Sequence, residues 1–501
     1  MKKFTVLTGM ILCLCSASLN VYAIEEHDGD ADKLFEPVKI QDGSVLSVFE
    51  CAAAAIQNSP EIRRSKYNLD IAKSGLGIAK SVYFPSLYAG AGFYNENNST
   101  STYHDMHYQE LPNVRVAVNQ LIYNFGKSSA FIKMEEFNKI AAEYEFMDSI
   151  CEALFDVKEK YYKMLRAKAL VDAESRIADN INEHFFKIAS KQPDKYIAGF
   201  YLKRAQAKVI EAEKAYKNAK IDLANAMYLD KDYDFTIKNT PSFNYSNNFK
   251  FSEKYPDEKS FEPVIFDFDR DEAVNTAYKN SPDLKILVSV KKAMENSLKY
   301  IKRTYLPDLR GEIGYEYGNI KAHGEERASN SGLKIGVNLS SEVNIKELYH
   351  SIKGADAQLK AADNEIDLFK QNLFYEVKRA FNNLDKSLEK TYTAKEQAEY
   401  AFYALKTVEE KYRKNEIPCG AVQSAGKDYM EAEENYIDSL YNYNAAVIQI
   451  EKAMHIHAAD IHHKSEHALR HHADELIEHL NKALSCRENE KNRHKDLEED
   501  L

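Results

Sequence analysis

The sequence has 501 residues, of which 29% are charged, and it carries a formal net charge of -11 at pH 7. This acidic balance, without a basic stripe that could neutralise phosphates, argues against nucleic-acid binding. The length allows roughly two to four domains.

The N-terminus is typical of a signal peptide. Lys2 and Lys3 form a basic start, an apolar run extends from Phe4 to Leu14, and small residues follow. We therefore predict export, with residues 1–23 removed and residues 24–45 forming an N-terminal periplasmic segment. No later stretch approaches the roughly 18 apolar residues that a membrane-spanning helix requires.

The cysteines beyond the signal peptide form no recognisable pattern. None belongs to a CxxC pair, and long intervals separate Cys51, Cys151, Cys419 and Cys486. We interpret them as small core residues, which argues against a disulfide framework or a zinc site.

Three short motifs recur in the same order and reveal an internal repeat, which determines the architecture. They are FEPV at 35–38 and 261–264, NSPE at 58–61 with NSPD at 280–283, and FPSL at 84–87 with LPDL at 306–309. We predict a first repeat at residues 46–240, an inter-repeat periplasmic linker at 241–270 and a second repeat at 271–454.

Each copy contains segments in which apolar and polar residues alternate, as in a β-strand with one apolar face. In the second copy Leu333, Ile335, Val337 and Leu339 alternate with polar or small residues, and Val114, Val116 and Val118 do so in the first. We predict strand hairpins at about residues 86–123 and 308–343.

Long helices are predicted after each strand pair, because residues 127–192 and 355–417 contain no Pro and no Gly. A continuous helix of about 66 residues would be roughly 100 Å long. Its narrow apolar stripe with charged flanks is typical of a coiled coil. With breaks at Pro193 and Pro418, we predict long helical hairpins at about residues 126–228 and 346–454.

Four strands of about ten residues each could cross a bilayer if tilted, but four strands cannot close a barrel. An open sheet edge in lipid leaves backbone groups unpaired at a cost of several kcal/mol each. The chain must therefore oligomerise. Dimers would give eight strands, which side chains fill, whereas trimers would give twelve. The alternative is a soluble sheet with tyrosines on its rim.

The order of these features resembles the TolC-like outer membrane efflux protein family. The resemblance rests on NSPE, FPSL and the strand-to-helix stretch QLIYNFGK at residues 120–127, where Gly126 would allow the turn. It implies an α+β membrane protein that forms a homotrimer, with a transmembrane β-barrel of four strands per chain and a long α-helical coiled-coil barrel. It also implies an outer-membrane location, contact with outer-membrane lipid, a periplasmic helical domain, a periplasmic adaptor (membrane fusion) protein and an inner-membrane pump.

The resemblance further implies a gate at the helical tips, although Asn415 stands where the family usually has glycine. Our candidate gate residues are Tyr412, Asn415, Asp428 and Glu431. Tyr412 and Asn415 would hold the closed state through side-chain hydrogen bonds. Asp428 would make the mouth cation-selective, since a ring of like charges concentrates cations. Alternatively, all of these residues face solvent on the outer helical surface.

Enzymatic motifs are absent from the sequence: there is no GxSxG, HExxH, P-loop or dinucleotide fingerprint. The polar C-terminal tail at residues 455–501 is rich in histidine. Weak metal-ligand candidates there are His463, His467 and His471, which would share one helix face. A solvated tail without fixed structure explains the same composition.

We therefore expect no cofactor and no enzyme activity. The favoured function is a passive exit duct of a tripartite efflux pump or a type I secretion system. The alternative is a periplasmic coiled-coil structural or adaptor protein without a transmembrane barrel. An enzyme with a metal site in the His-rich tail is a third hypothesis.

Overall fold

The computed structural model describes residues 40, 42–97, 108–182, 194–231, 233–239, 269–320 and 328–456. The signal peptide and most of the linker and the tail lie outside these ranges. The helices and strands are β1 (Ser44–Leu46), α1 (Val48–Asn58), α2 (Pro60–Lys80), β2 (Ser86–Asn97), β3 (Tyr108–Tyr123), α3 (Lys127–Asn180), α4 (Asp194–Ala226), β4 (Phe235–Ile237), α5 (Arg270–Asn280), α6 (Pro282–Arg303), β5 (Asp308–Ile320), β6 (Ala328–Ser340), α7 (Ile345–Arg413) and α8 (Cys419–Met454).

The repeated NSP motif forms the same helix junction in both copies. Ser59 and Ser281 cap α2 and α6, and each serine oxygen accepts a hydrogen bond at 3.2 Å from a backbone N–H of the first turn. The proline that follows occupies the first helical position, where its missing N–H costs no hydrogen bond. The motif therefore ends one helix and begins the next within three residues.

The four long strands form one antiparallel sheet in the order β2-β3-β5-β6. Each repeat contributes a hairpin, and the pairing of β3 with β5 joins the two hairpins. The register places Ala117 opposite Gly314 and Ile313 opposite Ile335. Residues facing each other in this register share one face of the sheet, so each face can be read directly from the sequence.

Two very long helices dominate the rest of the chain. α3 has 54 residues and α7 has 69, which correspond to about 80 Å and about 100 Å. α3 extends to Asn180, and the break predicted at Pro193 lies outside the described residues. α3 packs along α4, and α7 packs along α8. None of the described helices carries an apolar stretch long enough to cross a membrane.

The central core lies along the middle of α3, the C-terminal end of α4 and the second half of α8, beside a small second sheet. β1 pairs in parallel with β4, so the predicted boundary between residues 45 and 46 falls within a strand. The buried hydroxyl of Tyr161 donates to the Lys238 carbonyl at 2.6 Å and to the Leu46 carbonyl at 3.1 Å. Tyr161 thus ties both strands to α3. Aliphatic side chains complete this core, among them Leu165, Leu223, Ile437 and Leu440.

Three helices end in the same left-handed turn without glycine. Tyr228, Asn415 and His455 have φ of 52°, 58° and 48°. At each position the residue's own N–H and the next N–H bond back to the last helical turn, which is the Schellman arrangement. Because asparagine tolerates this backbone better than most residues, it can replace glycine at position 415.

Candidate functional site

The first candidate surface is one face of the four-stranded sheet, which is apolar and exposed. In β6 the side chains of Leu333, Ile335, Val337 and Leu339 are all exposed, and Ile335 is 72% exposed. The register places Ile313 of β5 and Val114 of β3 on the same face, and both are exposed as well. Contiguous exposed apolar surface of this kind marks a contact with lipid or protein.

The opposite face carries paired charges and small residues. Arg115 of β3 forms an ion pair with Glu312 of β5, and Lys334 of β6 forms one with Glu316. Between them, Ala117 lies against Gly314, where an added Cβ would come within 3.0 Å of the Ala117 Cβ. This face therefore suits water rather than hydrocarbon.

The two edges of this sheet, β2 and β6, pair on one side only among the described strands. They run in opposite directions because the strands alternate along the order β2-β3-β5-β6. An edge of twelve or thirteen residues with open N–H and C=O groups is a template for pairing with another chain. Antiparallel pairing of β6 with β2 of another copy would continue the same alternation.

The junction between β3 and α3 is built around Gly126. Its φ is 78°, and the preceding Phe125 is also left-handed. Arg303, at the end of α6, donates from Nη1 to the Gly126 carbonyl at 2.9 Å. An added Cβ at Gly126 would lie 2.6 Å from this Nη1. Gly126 is thus required both for the backbone turn and for the close approach of Arg303.

A second contact fastens the same junction to the next strand. The ammonium of Lys127 lies 2.5 Å from Asp308 Oδ1 and donates to the Leu306 carbonyl at 2.9 Å. The first-repeat strand-to-helix turn is therefore held by the helix-to-strand turn of the second repeat. These contacts fix the orientation of the sheet relative to α3 and α6.

The tip of the second helical pair contains Tyr412 and Asn415. Tyr412 packs against a small core of Ala198, Cys419 and Val422. Asn415 forms the left-handed turn, in which its N–H donates to the Tyr412 carbonyl at 2.8 Å. The structure thus brings these two predicted residues together at the end of α7, in contact with α4 and α8.

The other two gate candidates, Asp428 and Glu431, lie on α8 and are exposed. Glu431 is 3.4 Å from Lys427 in the same helix. It also borders a shallow cleft between α4 and α8, lined by Tyr201, Arg204 and Lys208. The acidic pair is therefore separate from the Tyr412 turn within one chain.

Sequence reasoning missed a series of ion pairs that join the first repeat to α8. Their members lie far apart in the chain, and their charged residues look like ordinary solvated helical faces in the sequence. The pairs are Lys158–Glu451, Arg166–Asp438, Arg176–Glu433 and Lys208–Glu434. The hydrogen bond from Arg166 to Asp438 also raises the pKa of that guanidinium.

Metal-ligand geometry is absent from the described ranges, which contain no group of three or more His, Cys, Asp or Glu side chains able to hold an ion. The candidates His463, His467 and His471 lie outside those ranges. Cys51, Cys151 and Cys419 form no disulfide among the described residues. Burial raises the pKa of Cys51 and Cys151 to about 12, which keeps both thiols protonated.

Solved outer-membrane channels share this architecture. The Campylobacter jejuni CmeC outer membrane channel has a TM-score of 0.65 at 14% identity, over 89% of this chain and 94% of CmeC. The open-state Neisseria gonorrhoeae MtrE outer membrane channel has a TM-score of 0.64 at 14% identity, over 81% of this chain and 88% of MtrE. The outer-membrane channel OprN has a TM-score of 0.65 at 14% identity, over 83% of this chain and 94% of OprN. At these identities the likeness shows the fold.

The sequence itself matches the family model described as outer membrane efflux protein over residues 52–228 and 273–454. No curated protein sequence matches the chain. The family match spans more than half of the sequence and confirms the resemblance seen in its motifs. The chain therefore belongs to the outer membrane efflux protein family, and it is an outer-membrane channel rather than an enzyme, with its helical domain in the periplasm.

Proposed function

We propose that three copies of this chain close a twelve-stranded barrel in the outer membrane and form the exit duct of an export system. The observation that carries the proposal is the sheet. One face is apolar and exposed, the other is charged, and no described strand pairs with either edge. A closed barrel explains all three properties, since lipid covers the apolar face, water contacts the charged face in the interior and no edge is left unpaired.

The number of copies follows from the strand count. Two copies would give an eight-stranded barrel, whose interior is filled by its own side chains. Three copies give twelve strands and leave space for solutes. A contact between the β6 edge of one copy and the β2 edge of the next is head-to-tail, and such contacts form a ring when the rotation between copies closes, as the curvature of a barrel requires.

The helical part supports the same assembly. α6 of the second repeat packs against both α3 and α7, whereas α2 of the first repeat packs mainly against α3. The exposed side chains of Tyr67, Ile71 and Ile78 lie on α2. If the repeats play equivalent roles, α7 of the neighbouring copy covers this surface. The twelve long helices of a trimer would then surround a periplasmic tunnel.

The energy for export comes from elsewhere, because the sequence contains no nucleotide-binding motif. A passive duct needs a periplasmic adaptor and an inner-membrane pump, as in a tripartite efflux pump or a type I secretion system. The helical tips around Tyr412 and Asn415 are the part of each chain furthest from the sheet along α7 and α8. They are therefore the place for the adaptor contact and for the gate.

At this gate, Asp428 remains our candidate for cation selectivity, with Glu431 one turn away. Both carboxylates are exposed in one chain, and three copies would bring several together near the axis. Replacing Asp428 by Asn should shift the reversal potential of single channels in asymmetric salt. An unchanged reversal potential would remove Asp428 from the conduction path.

The barrel is tested by two adjacent substitutions in β6. Ile335→Lys places a charge on the apolar face, whereas Gly336→Lys places the same charge on the opposite face, where the space around Gly336 is open. A lysine facing lipid near the midplane costs about 2–4 kcal/mol per chain. We expect I335K to lose assembly in the membrane fraction and G336K to retain it. Equal assembly of the two variants would contradict a lipid-facing apolar surface.

A further inference from the structure

Glu174 is a buried acid in an unusual setting. It lies on α3 and is only 3% exposed, and neither carboxyl oxygen has a hydrogen-bond partner among the described residues. The nearest cation is Lys208 of α4, whose Nζ lies 3.7 Å from Glu174 Oε1, beyond hydrogen-bonding distance. Its neighbour on α8 is a second carboxyl group, that of Glu434, which pairs with the same Lys208 ammonium.

The cations around Glu174 already bind other acids. Lys208 donates to Glu434, and Arg176 donates from Nη2 to Glu433 Oε1 at 3.0 Å. One turn further along α8, Arg166 donates to Asp438 at 2.6 Å. The other ionisable neighbours are Tyr429 on α8, and Arg204, Lys427 and Glu431 at the solvent-facing cleft beside Lys208.

Charge balance within this cluster favours a bound proton. The cations Arg166, Arg176 and Lys208 face the acids Glu433, Glu434 and Asp438, so an ionised Glu174 would add an unmatched negative charge. A buried carboxylate without donors is costly, whereas a protonated carboxyl can donate to a neighbouring carboxylate. Burial and the adjacent Glu434 raise the pKa of Glu174 to about 7. Burial acts against ionisation of Glu434 as well, but its contacts with Glu174 and Lys208 lower the pKa of Glu434.

We propose that Glu174 is a proton-binding site, where the protonated carboxyl donates a hydrogen bond to the Glu434 carboxylate and joins α3 to α8. This contact connects the two repeats at the end of the central core that lies nearer the helical tips. Loss of the proton places two carboxylates beside the single ammonium of Lys208. The contact between the first-repeat helices and α8 then opens more readily.

The pH window follows from the two protonation equilibria. When the contact opens, Glu174 meets water and regains an ordinary carboxyl pKa, so opening releases the proton. The stabilisation is complete below the pKa of the open state, about 4.3, and it is lost as the pH rises to about 7. Within this window the opening equilibrium should increase about tenfold for each pH unit, and it should level off above it.

Amide hydrogen exchange of the full-length protein in detergent tests this site without any measurement of transport. Exchange rates are followed in α8 around residues 427–438. An unstructured reference peptide corrects them for the intrinsic pH dependence of amide exchange. We expect corrected exchange in the wild-type protein to rise about fortyfold from pH 5 to pH 7, because the increase already levels off near the closed-state pKa. A flat profile would overturn the proposal, even if E174Q failed to fold.

Glu174→Gln separates proton binding from other effects, because the amide keeps a donor for Glu434 at every pH. We expect E174Q to show slow, pH-independent exchange in this segment. The matched control is Glu213→Gln on the exposed face of α4, which should retain the wild-type profile. A wild-type slope in E174Q would assign the pH dependence to another group. These outcomes do not depend on trimer closure, so they are independent of the I335K test.

Discussion

The sheet and the central core place apolar side chains in opposite ways. In β6, Ile335 points away from the protein and is 72% exposed, whereas Ile437 in α8 is fully buried at 0% exposure. In the sheet the charged residues lie on the face opposite Ile335, and in the helical region most of them lie on the outside. The difference is the one that the proposed barrel requires, with lipid around the sheet and water around the helices.

The largest effect that tests this comparison is expected from matched truncations. Ile437→Ala leaves a cavity in the central core and should reduce the free energy of unfolding by about 2–5 kcal/mol. Ile335→Ala removes a side chain that contacts no protein core and should have a much smaller effect. Thermal unfolding followed by circular dichroism in detergent measures both. Equal losses would contradict the assignment of Ile335 to a lipid-facing surface.

A smaller effect is expected for Tyr161→Phe, which removes the hydroxyl that ties β1 and β4 to α3. The Leu46 and Lys238 carbonyls lose a buried donor, at a cost of about 1–3 kcal/mol. Hydrogen exchange should increase in β1 and β4 and remain unchanged in the large sheet. Tyr67→Phe, on the exposed face of α2, is the control. Unchanged exchange in β1 and β4 would show that the hydroxyl does not hold them.

The smallest effect concerns the junction between the two regions. Gly126→Ala forces a Cβ into a left-handed turn and towards Arg303, so it should destabilise the fold by about 1–2 kcal/mol. Gly354→Ala within α7 meets open space and should stabilise the protein by about 0.5–1 kcal/mol. Chemical denaturation measures the change in the free energy of unfolding of both variants and so shows whether each change stabilises or destabilises the protein. A stabilising G126A would mean that the turn does not require glycine.

The sequence predicted those features that depend on local chemistry. Pro60 and Pro282 follow capping serines, and the alternation around Ile335 identifies a strand with one apolar face. The match to the outer membrane efflux protein family confirms the resemblance that these motifs carry. The strand-to-helix turn at Gly126 is another feature that could be predicted from the local sequence.

Features that depend on several helices could not be predicted. Glu174 looks like any other acid on a helical face, and only the packing of α3, α4 and α8 buries it beside Glu434. The sequence gives Asn415 as a gate candidate but does not reveal that its left-handed backbone ends α7. The gate itself depends on contacts between copies and stays a prediction.

The central claim is that three chains close the open sheet. Native mass spectrometry of the mature protein extracted in detergent tests this claim most directly, because it counts chains in each particle. The account predicts three chains per particle and no stable particle after detergent removal without lipid. A stable monomer in detergent-free buffer, or a particle of two chains, would contradict it.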